Sequence, residues 1–291
     1  MAAEFIGESR RPAKSVTAKE FTEIYRNFGY GEALARDDAS LSYVVELAPH
    51  LRLLLVDVNT ADPPDTVSAQ TLSWVEGQLQ NAAEHSAWVA AVSHQNLLAH
   101  SRLFTEGYVT GNAKRLLELY ERYSVACSLS GHIHLQHIAK STGGLKEIVT
   151  SSLAVSPNQY GVLRLEGTAA DYLTAPVDVA GWARERGSQD LALLDFPDAS
   201  RKFFRDTGYR QAMDAVKEAP NAADLAGFFA EVNAAYFAGR MDTVLWDDAL
   251  FGDWQARDGF LSQYLSSIAD GSFENQTAIR FSFGGRSYGS Q

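Results

Sequence analysis

The chain has 291 residues, 46% of them apolar and 21% charged, with a net charge of −11 at pH 7, enough apolar material for one large domain or two ordinary ones. An acidic surface repels phosphate backbones and anionic lipid, which argues against general binding to nucleic-acid duplexes or membrane surfaces. The one cysteine, Cys127, excludes an internal disulfide and a cysteine-based zinc cluster, and no run of about 18 apolar residues exists to span a membrane.

Met1–Ser15 is polar and lacks the apolar stretch of an export signal, so the compartment stays open. Thr17 and Glu20 form a capping-box pair, and Phe21, Ile24, Tyr25 and Phe28 repeat at helical spacing until Gly29 and Gly31. Two apolar runs follow, Leu41–Leu47 and Leu51–Val58; the second reads as a strand buried on both faces. Pro63 and Pro64 break the chain before an amphipathic helix marked by Leu72, Val75, Leu79 and Ala82, flanked by Trp74. Strand Ala87–Val92, a helix around Asn112–Tyr123 and strand Val125–Leu129 come next. Shorter alternating segments follow at His137–Lys140, Lys146–Thr150, Tyr160–Leu165 and Asp171–Val177. Strand, helix, strand, helix, strand and then a meander predict an α/β sandwich of mixed sheets flanked by helices, over residues 1–180. Residues 181–291 read as a mainly helical subdomain. Its clearest stripe is Leu225, Phe228, Phe229, Val232, Ala235 and Tyr236, with further helical pieces expected at Val244–Leu250 and Phe260–Ile268. The Gly- and Ser-rich last twenty residues are expected to fray.

Chemistry concentrates in three of the seven histidines. His94 follows the strand Ala87–Val92, while His132 and His134 follow Val125–Leu129. Strand carboxyl ends are where functional groups collect in α/β sheets. In an extended Gly131-His132-Ile133-His134 segment the two imidazoles point the same way with Cβ atoms about 7 Å apart, a spacing suited to two ions about 3.5–4 Å apart. Gly131 leaves room for an anion, and His94 on the adjacent strand would reach the same point. Strand-end histidines equally serve as structural donors to loop carbonyls, and the residues alone leave both readings open. His50, His85, His100 and His137 read as structural, with His137 on the face opposite His134. Cys127 reads as a small core residue, and Asp57 as a structural hydrogen-bonding group.

The run Val92-Ser93-His94-Gln95-Asn96-Leu97-Leu98-Ala99-His100-Ser101, then Gly107-Tyr108 and Ser130-Gly131-His132-Ile133-His134, resembles the calcineurin-like metallophosphoesterases. Within them it is similar to a bacterial cyclic-nucleotide phosphodiesterase-like subgroup with a helical carboxy-terminal domain; Ser15–Tyr30, Leu41–Val58 and Ala230–Gly239 share the likeness. The resemblance implies a hydrolase with a binuclear centre of manganese, iron or zinc, in which metal-bound hydroxide attacks phosphorus. The implied substrate is a small phosphoester, a cyclic nucleotide being one candidate. His94 and His132 match ligands of one ion and His134 a ligand of the other. Gln95 stands where many members have a second histidine, which with Gly131 places it next to the ligands rather than among them.

The chain departs from that family where its acidic ligands belong. No Asp is followed two positions on by His, the one Gly-Asp is Gly252-Asp253 in the helical part, and Gly111-Asn112 continues with Ala113. The D-x-H, G-D and G-N-H-D/E motifs are therefore missing. Two divalent ions held close repel unless a bridging carboxylate offsets them, and neutral imidazoles supply no such charge. The expectation is an amino-terminally shortened enzyme that is weak or inactive alone and self-associates through an exposed sheet edge. The alternative is a degenerate homologue that binds without catalysis.

Overall fold

The computed structural model of the protein describes residues 3–7, 9–60 and 64–282; Pro63 and the final residues 283–291, about which the sequence made expectations, lie outside that description. A hairpin of β1 (Ala3–Ile6) and β2 (Ser9–Pro12) leads to α1 (Ala18–Ile24). The capping box is present as expected, the Glu20 amide donating to Thr17 Oγ1 at 3.2 Å and the Thr17 amide to Glu20 at 2.8 Å. The helix stops a turn short of Phe28, and the apolar stripe read from spacing is not buried: Ile24, Tyr25 and Phe28 are exposed, the last by 74%.

The central sheet contains β3 (Ala35–Arg36), β4 (Tyr43–Ala48), β5 (Leu51–Leu55), β6 (Trp88–Val92), β7 (Cys127–Ser130), β8 (His137–Lys140) and β9 (Lys146–Val149). Its order is β3-β4-β5-β6-β7-β9-β8, with β5, β6, β7 and β9 parallel and the other strands antiparallel to their neighbours. The parallel core follows from two helical crossovers, α2 (Ala69–Glu84) and α3 (Ala113–Arg122). Val75, Leu79 and Ala82 of α2 and Leu116, Leu119 and Tyr120 of α3 bury their apolar faces against Val44, Leu54 and Ala91 of the sheet. This is the mixed α/β architecture that the alternation of elements predicts.

Ser68 caps α2, its hydroxyl accepting from the Thr71 amide at 3.1 Å. Thr71 in turn donates to the buried Asp37 at 2.7 Å. Ser68→Ala should lower stability by about 1 kcal/mol, read as a shift in urea midpoint without a change of slope.

A second sheet, β10 (Gln159–Glu166), β11 (Ala169–Pro176) and β12 (Ala278–Ser282), packs Tyr172 and Phe281 with Ile148 and Cys127 of the first. Strand β12 corrects the expectation of a fraying tail: residues 278–282 pair with β11 because Phe281 is buried in that layer. Between these strands lie α4 (Val179–Glu185), α5 (Leu191–Leu194), α6 (Phe196–Val216), α7 (Ala222–Ala238), α8 (Asp248–Gln255) and α9 (Phe260–Ala269). The Leu225–Tyr236 stripe lies on α7, as its spacing implies, and Leu225, Phe229 and Val232 are buried with Trp254, Leu265 and Ile268. The helix expected at Val244–Leu250 starts only at Asp248, where the Asp247 carboxylate accepts from the amides of Ala249 and Leu250, both at 2.9 Å. Among the described residues no helix is long and apolar enough to cross a membrane.

Gly239 ends α7 at φ 69°, and a Cβ there would lie 2.7 Å from the Gln136 side chain. Both the left-handed turn and the close approach demand glycine. They bring the end of α7 against the segment that carries the histidines.

Candidate functional site

Parallel pairing sets the meeting of His94 and His132. Val92 is in register with Leu129 on neighbouring strands, so the loops beyond them leave the same rim of the sheet side by side. The Ser93 amide donates to the Leu129 carbonyl at 3.1 Å and the Gly131 amide to the His94 carbonyl at 3.1 Å, extending contact past the strand ends. His132 Nδ1 and His94 Nε2 lie 2.8 Å apart, with ring centroids at 4.7 Å and planes at 76°. At that separation one nitrogen donates and the other accepts, the roles being set by the tautomers of the two rings. Burial, then the charges His132 and His134 would carry, hold His94 below the usual imidazole pKa. Tyr108 stands against the other side of His132, ring centroids 5.3 Å apart.

The reach of the second loop differs from the sequence reading. His132 and His134 are not extended: their φ values are 51° and 61°, in the left-handed region that ordinary residues seldom occupy. Ile133 and Leu135 explain the path, being buried with Val149 and packed against Tyr108, Tyr236 and Phe237. These anchors leave His132 half-buried and His134 exposed. His134 influences His94 through charge, but the hydrogen-bonded pair is His94 with His132. Gly131 has open space where a side chain would stand, in line with the expectation of room beside the loop.

Gln95 is bonded to other groups than the ring pair. It is 3% exposed, donates to the Asp65 carboxylate and accepts from Asn59 Nδ2 at 3.4 Å. Asp57 is structural, as expected, accepting from the amides of Leu41 at 3.2 Å and Asn59 at 3.0 Å. His50 and His85 are held at a helix end, with Nδ1 atoms 3.2 Å and 2.8 Å from the carbonyls of His85 and Asn81. Cys127 is buried and its thiol is pushed up to about 12 by that burial.

The sequence reading missed three groups. Asn96 is buried and donates through Nδ2 to Ser130 Oγ at 3.0 Å and to the Gly131 carbonyl at 3.3 Å, while its Oδ1 is enclosed with no hydrogen-bond partner. Glu147 lies wholly buried on β9. His100 and His137, read as unconnected, face each other with Nδ1 atoms 2.9 Å apart. Strand alternation over Leu145–Val149 would have set Glu147 and Val149 on one face, a signal that an acid is turned inward.

Donor chemistry decides whether these residues suit a pair of metal ions. The orphaned Asn96 carbonyl is one spare acceptor, yet no carboxylate joins the two rings. Among the described residues no group of three or more His, Cys, Asp or Glu side chains is arranged to hold a metal ion. The described residues do not fit a two-ion centre, because none of them groups with the rings to offset two divalent charges.

A search of the curated proteins finds no match. A dimetal phosphatase from Danio rerio is similar in structure at a TM-score of 0.45 and 15% identity, over 54% of this chain and 64% of that one. GAP50, the anchor in the inner membrane complex of Plasmodium, is similar at a TM-score of 0.33 and 13% identity, over 46% of this chain and 47% of that one. The chain thus spans less than two thirds of either structure. Residues 178–275, from the cap of α4 to the loop before β12, match the family described as the C-terminal domain of cyclic nucleotide phosphodiesterase. Over that stretch, about a third of its length, the chain is similar to that family.

Proposed function

We propose that the protein handles small phosphodiesters, of which a cyclic nucleotide is the leading candidate, and that hydrolysis by the chain as it stands is slow. The observation that carries this is the His94–His132 pair at the rims of two parallel strands, in a chain whose helical region matches the cyclic nucleotide phosphodiesterase family. The neutral ring pair can hold and pass one proton between Nδ1 of His132 and Nε2 of His94, and Tyr108 fixes the outer ring from behind. Such an arrangement suits contact with a phosphoryl oxygen or a leaving oxygen. By itself it provides none of the charge stabilisation that phosphoryl transfer demands.

The purified protein, supplied with manganese, is expected to turn over bis(4-nitrophenyl) phosphate and 3′,5′-cyclic AMP at close to the background rate. His132→Ala is expected to abolish what remains. Robust manganese-dependent turnover that His132→Ala removes would overturn the claim of slowness and point to a working metal site. A second reading, a phosphoester-binding protein without catalysis, is favoured by the absence of a carboxylate beside the rings. Elemental analysis after gentle purification separates the two. Two equivalents of metal per chain support a hydrolase, whereas a folded, metal-free protein that retains cyclic nucleotide in equilibrium dialysis supports binding.

A further inference from the structure

One buried acid fastens together the two loops that carry His94 and His132. Glu147 is 0% exposed, and several donors meet its carboxylate. The Leu97 amide donates to its two oxygens at 2.8 and 3.0 Å, the Leu98 amide at 2.5 Å and Ser130 Oγ at 2.8 Å. His100 Nε2 approaches at 3.2 Å. Leu97 and Leu98 belong to the loop that carries His94, and Ser130 ends β7, the strand whose loop carries His132. The Ser130 hydroxyl that donates to Glu147 also accepts from Asn96, so the strut crosses between the loops twice. An acceptor-only carboxylate is the side chain that this ring of donors requires.

The histidines behind it follow suit. If the neutral His100 ring spends its Nε2–H on Glu147, its Nδ1 is left as an acceptor, and His137 Nδ1–H donates across the 2.9 Å gap. Tyr236 of α7 adds a bond from its hydroxyl to the His100 carbonyl at 3.4 Å, linking this cluster to the helical region.

We propose that Glu147 is a positioning residue for the His94–His132 pair: its carboxylate sets the separation of the two loops and so keeps the rings close enough to share a proton. This rests on reading that pair as the functional one. The test uses neither substrate nor metal, so it succeeds or fails apart from any assay of hydrolysis.

Long-range proton–nitrogen NMR of the full chain labelled with ¹⁵N-histidine reads the tautomer of each ring. In the unaltered protein at pH 7.5 His94 and His132 are expected to show fixed, complementary tautomers, and His100 to carry its proton on Nε2. Glu147→Gln preserves shape but places an amide donor among donors. Both signals of the pair should then move to the averaged values of free imidazoles. Ser130→Ala, which removes both crossings made through that hydroxyl and leaves the Leu97 and Leu98 bonds to Glu147, should shift them in the same direction by less. Leu265→Ala, in the core of the helical region, should lower the melting temperature and leave the pair unchanged. Fixed tautomers retained in Glu147→Gln would overturn the proposal, as would equal averaging in Leu265→Ala. If Glu147→Gln does not fold, Ser130→Ala decides: unshifted pair signals refute the strut.

Discussion

Trp254→Ala is expected to be the most damaging single core truncation in the helical region, at about 3–5 kcal/mol. Trp254 is 2% exposed, surrounded by Leu225, Phe229, Leu265 and Ile268, and its ring lies 5.7 Å from that of Phe229. Its Nε1–H donates to the Leu225 carbonyl at 3.1 Å, and its own carbonyl accepts from Ser262 Oγ at 2.8 Å. The alanine variant loses the ring's contacts and the indole bond together, and the rigid helices on each side restrict collapse into the space. Chemical denaturation should show the loss. Trp254→Phe, which restores most of the volume without the donor, should recover more than half of it. A loss below about 1 kcal/mol in the alanine variant would mean that α8 is a loosely held appendage.

Acid should weaken the fold well before the carboxylates titrate. Burial and the neighbouring His100 lower the His137 pKa to about 4, whereas an unfolded histidine titrates near 6.5. Between those values the unfolded chain takes up a proton that the folded chain refuses. Stability is therefore fully present above about pH 6.5 and declines as pH falls toward 4, by at most about 3 kcal/mol from this ring. His94, lowered in the same direction by burial and by its two neighbours, acts with the same sign. Urea midpoints measured from pH 7.5 to 4.5 should fall steadily. The His137→Gln variant should show a flatter profile over the upper part of that range, and an unchanged slope would remove His137 from the explanation.

Most of the architecture was legible because periodicity and burial coincide in it. The α2 stripe of Val75, Leu79 and Ala82 and the α7 stripe lie where pattern places them, and the strand expected over Leu51–Val58 is there but ends at Leu55. The pattern misled where apolar spacing has no surface to bury against, as at Ile24, Tyr25 and Phe28, or where one aromatic carries a short strand, as Phe281 does in β12. At the site, the juncture of His94 and His132 was legible because consecutive parallel strands end together. The left-handed turns at His132 and His134 were not, since Ile133 and Leu135 dictate them through contacts with Tyr108, Tyr236 and Phe237, residues distant in sequence. Glu147 was passed over for the same reason: all but one of the donors that make an acid tolerable in the core come from a loop 47 to 50 residues away, and Ser130 lies 17 away.

Gln276 lies just before β12 and holds the segment after His134 with both backbone and side chain. Its carbonyl accepts from Gln136 Nε2 at 3.0 Å and its Oε1 from the Ile138 amide at 3.0 Å. A ribosome delivers residue 276 only after everything it secures has been made. Gln276 emerges after the central strands and the helices, so the segment at Gln136 and Ile138 gains these two bonds late. Nascent chains halted before that point should therefore hold the segment at Gln136 and Ile138 more loosely.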